Sequence, residues 1–225
     1  MIKTFDIDLY DGHLIIIIDG LKVLVDTGCP VTIAKQSSFD FMGQVFSCHT
    51  SLGGKDINSL SQLMNYDLDV FMGMDIIEKF YILTDYKQKQ VTFSDEPIPF
   101  DGTCSTPILR GHMGEVCINM TVKNTPVRVA LDTGARISYI DKTLTEGETL
   151  LETIDDFNPM IGNYKTQVYT MEASIEKETF PVNFGVLPQA LEMPLKMMGI
   201  EGAIGFDLFN RYKVLLDFKS NILLF

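Results

Sequence analysis

One pattern occurs twice in this chain and constrains its fold more than any other feature. An apolar run that ends in Asp-Thr-Gly occupies residues 23–28 and returns at residues 129–134. A second pattern, in which an apolar pair, a glycine and an apolar-Asp-apolar-apolar segment follow one another, lies at residues 71–77 and returns at residues 203–209. From these glycines onward the two copies run without a gap at an offset of 132 residues. Such a repeat predicts two related structural units in one chain.

The repeat also indicates where the units divide. Phe225 ends the second copy, and its counterpart in the first copy is Phe93. Residues 94–99 contain two prolines and charged residues, which suit neither a strand nor a helix. We therefore predict an N-terminal lobe over residues 1–95, a connector over 96–105 and a C-terminal lobe over 106–225.

Most segments of the chain have the composition of β-strands. Two residue pairs, Asp19-Gly20 and Lys123-Asn124, occupy corresponding places between strands and predict hairpin turns. Short helices are expected to begin at Asp75 and Asp207, where the aspartate would cap the helix rather than take part in chemistry. The prediction is an all-β fold with a short helix in each half. The strands, rich in β-branched, aromatic or alternating residues, are expected at 13–19, 21–25, 91–93, 117–122, 127–131, 167–175 and 213–217.

Composition narrows the classes of partner and location. The 225 residues include 18 basic and 30 acidic ones, and a net charge of −12 argues against nucleic acid or an anionic membrane as a partner. No run approaches the roughly 20 apolar residues of a membrane span, and no signal peptide is visible. Four cysteines without close paired spacing predict free thiols, and with them a cytoplasmic protein. The histidines are scattered as surface or loop residues, so no metal site is expected: His13, His49 and His112.

The surroundings of the two Asp-Thr-Gly turns carry a resemblance to a known family. Each turn is followed by a small residue, and three residues later by a hydroxyl residue and an apolar one: Cys29 with Thr32-Ile33, and Ala135 with Ser138-Tyr139. Nearly the whole chain resembles the pepsin and retropepsin superfamily of aspartic peptidases, and most closely its small retropepsin-like bacterial domains. The resemblance implies a bilobal fold with pseudo-twofold symmetry and a peptide-binding cleft between the lobes. Since one chain carries both turns, it is expected to act as a monomer.

The resemblance also implies a role for each residue of the turns. Asp26 and Asp132 would share a proton and activate a water molecule for peptide hydrolysis, without a cofactor. By the same match, the hydroxyls of Thr27 and Thr133 would reach across to the opposite turn. Glycine allows close backbone approach, which would explain Gly28 and Gly134 in the turns and Gly73 and Gly205 beside them.

The residue after each glycine departs from the pepsin pattern. Pepsin-like enzymes carry serine or threonine there, and its hydroxyl hydrogen-bonds a catalytic carboxylate, which lowers the pKa of that carboxylate. Cys29 and Ala135 offer a weak donor and no donor. We therefore predict an aspartate pair less acidic than that of pepsin and an activity optimum near neutral pH. Cys29 itself is interpreted as a small packing residue.

The two copies differ in length where the family carries its flap, the hairpin that covers the cleft. The second copy has 17 more residues in this region. We predict the main flap between residues 158 and 170, with its tip near Gly162 and Asn163 and with Ile161 and Tyr164 beside it. The alternative is a short flap at residues 52–54 of the first copy.

Two further questions are left open by the sequence. Met193, Met197 and Met198 either line a substrate pocket or fill the core. The chain is either an aspartic endopeptidase that acts on peptides or proteins, or a non-cleaving peptide-binding or assembly module with the same cleft. The presence of both aspartates favours the peptidase.

Overall fold

The first half of the chain is built of mainly antiparallel strands and two helices. The computed structural model describes residues 1–111 and 114–225, so His112 lies outside the described residues. The elements of the first half are β1 Ile2–Tyr10, β2 His13–Ile18, β3 Leu21–Val25, β4 Ile33–Ala34, β5 Ser38–Phe41, β6 Gln44–Ser47, β7 Ser51–Leu52, β8 Lys55–Asp56, α1 Ile57–Met64, β9 Val70–Met72, α2 Met74–Ile77, β10 Tyr81–Asp85 and β11 Gln90–Ser94.

The second half has a related succession of elements, with longer strands over residues 116–131 and 150–186. Its elements are β12 Ser105–Pro107, β13 Leu109–Arg110, β14 Val116–Val122, β15 Thr125–Leu131, β16 Ser138–Ile140, a 3₁₀ turn Lys142–Thr145, β17 Leu150–Asn158, β18 Gly162–Ile175, β19 Glu178–Val186, α3 Gln189–Met197, β20 Gly202–Ile204, α4 Phe206–Arg211, β21 Val214–Asp217 and β22 Ile222–Leu224. The mainly β fold is confirmed, and the predicted strands match observed ones with ends shifted by a few residues.

Strands of both copies share one sheet. Its order is β12-β22-β21-β10-β11-β1-β2-β3-β9-β4, and a second sheet has the order β13-β14-β15-β20-β16-β19-β18-β17. In the first sheet β10 pairs antiparallel with β21, which is its own repeat copy, so that Ile82 lies opposite Leu216. Antiparallel pairing of two copies of one strand is what a twofold relation between the halves requires. The lobe boundaries at residues 95 and 105 stay a prediction.

Both predicted hairpin turns are present. Asp19 and Gly20 have φ values of 50° and 84°, and Lys123 and Asn124 have values of 50° and 65°. Two consecutive positive φ angles are the signature of the type I′ turn, whose twist matches that of the flanking strands.

The helix caps, in contrast, were predicted wrongly. Helices α2 and α4 begin one residue before Asp75 and Asp207, and their N-cap residues are Gly73 and Gly205. The Asp75 carboxylate accepts hydrogen bonds from the backbone N–H and the hydroxyl of Thr32, at 3.0 and 2.6 Å. Asp207 accepts one of 2.8 Å from Ser138, the repeat counterpart of Thr32. Each aspartate therefore fastens its helix to the segment that follows the Asp-Thr-Gly turn.

The hydrophobic core includes one large part that runs through both halves, a second part whose buried residues all lie in the first half, and a small third part around Tyr81, Ile98 and Leu215. In the second part, three α1 side chains, Ile57, Leu60 and Met64, pack against one face of the first sheet. The residues that they cover on β2, β3, β4 and β9 are Ile15, Leu24, Ile33 and Phe71.

Candidate active site

Asp26 and Asp132 follow directly after the central strands β3 and β15. The backbone N–H of Asp26 donates to Met72 O, and that of Asp132 donates to Ile204 O, both at 3.0 Å. These bonds extend the parallel pairing of β3 with β9 and of β15 with β20. Regular sheet geometry therefore brings both aspartates to the same cavity, where their carboxyl groups lie within hydrogen-bonding reach of each other.

The glycines of the two turns leave room for the opposite carboxyl group. A Cβ atom on Gly28 would lie 2.6 Å from Cγ of Asp132, and one on Gly134 would lie 2.4 Å from Cγ of Asp26. Both distances are too short for any side chain. The predicted close approach is therefore observed, and its reason is the position of the partner carboxyl group.

Thr27 and Thr133 cross between the turns as the resemblance implies. Each hydroxyl accepts a 3.0 Å hydrogen bond from the backbone N–H of the other threonine. Each also donates across the interface, Thr27 to Leu131 O at 2.7 Å and Thr133 to Val25 O at 2.8 Å. Four hydrogen bonds between buried groups thus fix the two turns relative to each other.

Gly73 and Gly205 allow backbone segments to pass closely beside the turns. A Cβ on Gly73 would lie 2.5 Å from Val31 O, and one on Gly205 would lie 2.5 Å from Ala135 O. Next to these glycines, Met74 N donates to Cys29 O at 2.8 Å and Phe206 N donates to Ala135 O at 3.1 Å. The two positions support the turns and contribute no chemistry of their own.

The surrounding protein changes the acidity of the aspartate pair. Burial, followed by the charge of Asp132, raises the pKa of Asp26 well above its ordinary value. Burial also raises the pKa of Asp132. The N–H groups of Gly28 and Gly134, which donate to the carboxylates at 2.7 and 2.9 Å, oppose this effect only in part. Both shifts favour the protonated form of the carboxyl groups.

Cys29 does not supply the hydrogen bond that a serine would. Its Sγ donates to Val31 O at 3.2 Å, which is directed along its own loop. The side chain is 5% exposed, and burial raises the pKa of its thiol above the ordinary value. Cys29 therefore packs as a neutral residue, as the sequence predicted.

A cavity of about 740 Å³ opens above the aspartates. Its wall is mainly apolar and includes residues from both halves, from the β17–β18 hairpin and from α3. A deep and mainly apolar cavity with a few convergent polar groups is the usual form of a ligand site.

The predicted second-half hairpin exists but is longer than expected. Strands β17 and β18 pair from Leu150 opposite Tyr169 to Asn158 opposite Gly162, so the turn lies at residues 159–161. The tip is thus slightly earlier than predicted: Ile161 is in the turn, whereas Gly162, Asn163 and Tyr164 are in β18. The first half also has a hairpin, β7–β8, with its turn at Gly53 and Gly54.

The two hairpins meet over the cavity. Met160, at the tip of the long hairpin, has its Sδ 3.0 Å from the place where a Cβ of Gly53 would stand. Leu52 from the short hairpin and Phe157, Met160 and Tyr164 from the long one line the cavity. Most of the roof therefore comes from the second half, and the short hairpin completes it.

A buried carboxylate beneath this roof was not identified from the sequence. Asp156, on β17, is 8% exposed, and burial raises its pKa. The hydroxyl of Tyr139 donates to its carboxylate, Phe157 N donates to it at 2.8 Å, and the hydroxyl of Tyr164 donates to that of Tyr139 at 2.9 Å. The 17 extra residues of the second copy indicated the hairpin, but no local pattern indicates that one of its aspartates points inward.

His13 was wrongly predicted to be a surface or loop residue. It is 4% exposed, and its Nδ1 lies 2.7 Å from Gly134 O. Because a carbonyl oxygen only accepts, Nδ1 carries the proton, and burial lowers the pKa of the ring, which favours its neutral form. His13 therefore supports the second Asp-Thr-Gly turn. Its position at the start of the apolar strand β2 was the sequence feature that could have indicated its burial. His49 is exposed, as predicted.

The three methionines after Pro188 do not fill the core. Met193 and Met197 are 63% and 84% exposed, and no residue of α3 is buried. Met197 and Met198 line the cavity, whereas Met193 does not. Across residues 1–111 and 114–225, no cluster of His, Cys, Asp and Glu side chains could hold a metal ion, and no helix is long and apolar enough to cross a membrane.

Comparison with known proteins gives distant sequence matches and a match of the whole fold. No family model matches the chain. It is 26% identical over 126 residues to DNA damage-inducible protein 1 of Candida glabrata, covering 52% of this chain and 27% of that protein. It is 24% identical over 119 residues to Protein DDI1 homolog 2 of Homo sapiens, covering 50% of this chain and 28% of that protein. The chain thus matches only about a quarter of the length of these curated relatives.

Among solved structures, an aspartic proteinase from Irpex lacteus superposes on nearly the whole chain. The TM-score is 0.53 at 10% identity, and the match covers 99% of this chain and 96% of that one. At this level of identity the similarity concerns the fold.

Proposed function

Because the chain has the bilobal fold of the pepsin-like aspartic proteinases, we propose that it is an aspartic endopeptidase with Asp26 and Asp132 as its catalytic pair. The observation that supports this proposal most directly is the placement of two carboxyl groups, within reach of each other, on the floor of one large cavity. Both aspartates belong to one chain, so a monomer supplies the complete pair. No cofactor is needed for this chemistry.

In the proposed reaction, the ionised carboxylate of the pair removes a proton from a water molecule as that water attacks the scissile carbonyl carbon. The protonated partner hydrogen-bonds the carbonyl oxygen and stabilises the charge that develops there. The proton then reaches the departing nitrogen through the pair, so no covalent intermediate with the enzyme is formed. Since the carboxyl groups titrate as a unit, the shared proton is assigned to neither.

The hairpin β17–β18 is proposed as the flap that covers a bound peptide. Its residues Phe157, Met160 and Tyr164 line the cavity above the aspartates. Closure of such a roof excludes bulk water and strengthens the electrostatic interactions within the site. The contact of Met160 with the turn at Gly53 would hold the roof closed until a peptide enters.

A near-neutral activity optimum is part of the proposal. The reaction needs one ionised and one protonated carboxyl group. Burial raises the pKa of both aspartates, which moves this half-protonated state toward higher pH. Neither Cys29 nor Ala135 provides a hydroxyl that would donate to a carboxylate of the pair and lower its pKa.

The proposal is tested by incubating a diverse peptide mixture with the protein from acidic to neutral pH, beside Asp26→Asn and Asp132→Asn. We expect either substitution to reduce cleavage by about 10²–10⁴-fold, because each removes a group that transfers a proton. A folded wild-type protein that cleaves nothing would support the binding-module alternative. Cleavage that survives both substitutions would exclude this pair as the catalytic groups.

A further inference from the structure

A third buried carboxyl group lies in the cavity above the aspartate pair. Asp156, on β17 of the long hairpin, is 8% exposed and lines the same cavity as Asp26 and Asp132. The short hairpin of the first half contributes the apolar Leu52 to this wall. Since the proposed reaction uses two carboxyl groups, the buried third one needs a separate explanation.

The hydrogen bonds of Asp156 favour its ionised form. The backbone N–H of Phe157 donates to one carboxylate oxygen at 2.8 Å, and the hydroxyl of Tyr139 donates to the other. Because the Tyr139 hydroxyl accepts a 2.9 Å hydrogen bond from that of Tyr164, its own proton is directed to Asp156. Donors to both oxygens stabilise an ionised carboxylate, which only accepts. Burial has the opposite effect and raises the pKa of Asp156, so its charge develops at higher pH than on an exposed aspartate.

His13 connects the surroundings of Asp156 to the second Asp-Thr-Gly turn. The centre of its ring lies 5.8 Å from that of Phe157, the residue after Asp156. Its Nδ1 donates to Gly134 O at 2.7 Å, and the backbone N–H of Gly134 donates to the carboxylate of Asp132 at 2.9 Å. The third carboxyl group and the aspartate pair therefore belong to one packed cluster of polar groups.

The ionisable groups around Asp156 leave its negative charge in place. Arg136 lines the cavity, but its guanidinium forms an ion pair with Asp11. Glu115, also on the cavity wall, is a further acidic residue. For three neighbouring side chains, burial shifts the pKa in the direction that favours the neutral form: His13, Tyr139 and Tyr164.

The mainly apolar wall allows the charge of Asp156 to act on the pair. Two charges interact several times more strongly in such surroundings than in bulk water. Burial raises the pKa of Asp132, and the charge of Asp156 adds to this effect. A like charge nearby makes the loss of a further proton less favourable. With Asp156 ionised, the pair therefore keeps its shared proton to a higher pH.

We propose that Asp156 is a positioning residue of the peptidase reaction, whose negative charge holds the shared proton on Asp26 and Asp132 up to neutral pH. Asp156 acts through the pair and not on the scissile bond. As the pH rises, Asp156 ionises, and the pair then releases its last proton later than it would alone. The effect on cleavage rests on the proposed function, whereas the effect on the proton does not.

The pH dependence of cleavage tests this role, because kcat/KM reports the ionisation of the free enzyme. Asp156→Asn removes the charge and keeps a carbonyl oxygen as an acceptor. We expect the alkaline limb of its kcat/KM profile to lie about 0.5–1 pH unit below that of wild type, since the last proton leaves the pair more easily. An alkaline limb at the wild-type position would overturn the proposal.

Asp155→Asn is the matched control. It removes the same charge from the neighbouring residue, whose side chain is 80% exposed and is therefore screened by water and salt. Its alkaline limb should stay within about 0.2 pH unit of wild type. A shift as large as that of Asp156→Asn would show that the total charge of the protein, and not the buried carboxylate, sets the limb, and would overturn the proposal.

A purely structural role of Asp156 gives a different result. If Asp156 only held the roof, its loss would lower kcat/KM by the same factor at every pH and leave the alkaline limb in place. Asp156→Glu keeps the charge on a longer side chain, so its limb should lie within about 0.3 pH unit of wild type even where the rate stays low. A limb that coincides with that of Asp156→Asn would overturn the proposal.

Carbon-13 NMR of labelled aspartate carboxyl groups follows the protons without any cleavage. The three resonances are assigned by their loss in Asp26→Asn, Asp132→Asn and Asp156→Glu. In wild type, the titration curves of the pair and of Asp156 should share an inflection, because coupled groups titrate together. Independent curves would overturn the proposal. This measurement decides the question even if Asp156→Asn does not fold.

The two measurements together separate failure of this inference from failure of the proposed function. A wild-type protein that cleaves nothing, but whose pair loses its last proton at lower pH in Asp156→Asn, would retain the role of Asp156 and reject the peptidase. Cleavage that needs Asp26 and Asp132, with the same alkaline limb in wild type and Asp156→Asn, would retain the peptidase and reject the role of Asp156.

Discussion

Tyr139 and Asp156 join the strand after the second Asp-Thr-Gly turn to the hairpin above the cavity, through a hydrogen bond from the phenol to the buried carboxylate. The first copy has Ile33 at the position of Tyr139 and lacks the long hairpin. The link is thus confined to the half in which the roof is long. It gives the roof a fixed point close to the aspartate pair.

Removing this link should loosen the roof. Tyr139→Phe leaves the buried Asp156 with one fewer donor, which costs about 1–3 kcal/mol. We expect faster amide hydrogen exchange in β17 and β18 and a kcat/KM lowered about tenfold. Tyr164→Phe is the control, because Tyr164 donates to Tyr139 and not to Asp156. Unchanged exchange in both strands would show that the hairpin is held by other contacts.

The crossed threonines should matter for stability more than any surface contact. Thr27→Val keeps the shape of the side chain but leaves Leu131 O and Thr133 N without their partner. We expect the free energy of unfolding in urea to fall by about 2–4 kcal/mol. Thr27→Ser retains the hydroxyl and should lose less than about 1 kcal/mol. Equal losses in the two variants would mean that the methyl group, not the hydroxyl, is what stabilises the turns.

Gly134 should tolerate no side chain. In Gly134→Ala the new methyl group would collide with the carboxyl group of Asp26 and displace it. We expect cleavage to fall at least about 100-fold, since misplacement by about 1 Å has an effect of this size. Overpacking should also cost about 1–3 kcal/mol of stability. Wild-type activity in this variant would show that the two turns can separate without loss of function.

A hydroxyl beside the aspartates should shift the pH dependence of peptide cleavage. In Ala135→Ser the new hydroxyl can donate to the carboxylate of Asp132, which favours its ionised form and lowers its pKa. The acid limb of the pH–rate profile should therefore move to lower pH than in wild type. Ala135→Gly adds no donor and serves as the control. A wild-type profile that already peaks below about pH 3 would contradict the proposed effect of burial on the pair.

The stability of the fold should also depend on the ionisation of this pair. Since burial raises the pKa of Asp26 in the folded state, the folded protein binds the proton more tightly than the unfolded chain. Stability is therefore full below the unfolded pKa and falls as pH rises through the folded pKa. Asp26→Asn removes this loss of stability. We expect a gain of about 1 kcal/mol at pH 7, which corresponds to a melting temperature roughly 2–4 °C above that of wild type. The gain should be smaller at pH 4, and a gain independent of pH would contradict this origin.

The sequence by itself determined the features that depend on local pattern and on repetition. Two Asp-Thr-Gly turns behind apolar strands predicted the aspartates, the supporting glycines and the twofold plan, because strand alternation and turn chemistry act over a few residues. The excess of residues in the second copy predicted which half carries the long hairpin.

Only the tertiary structure decided which polar groups are buried and which apolar groups are not. Asp75 was expected to cap a helix, but Thr32, 43 residues earlier, donates two hydrogen bonds to its carboxylate and holds it instead. His13 and Asp156 are buried because segments distant in the chain fold over them, and Met197 is exposed because α3 does not sink into the sheet. Burial is set by contacts between distant residues, and no short pattern in the chain encodes them.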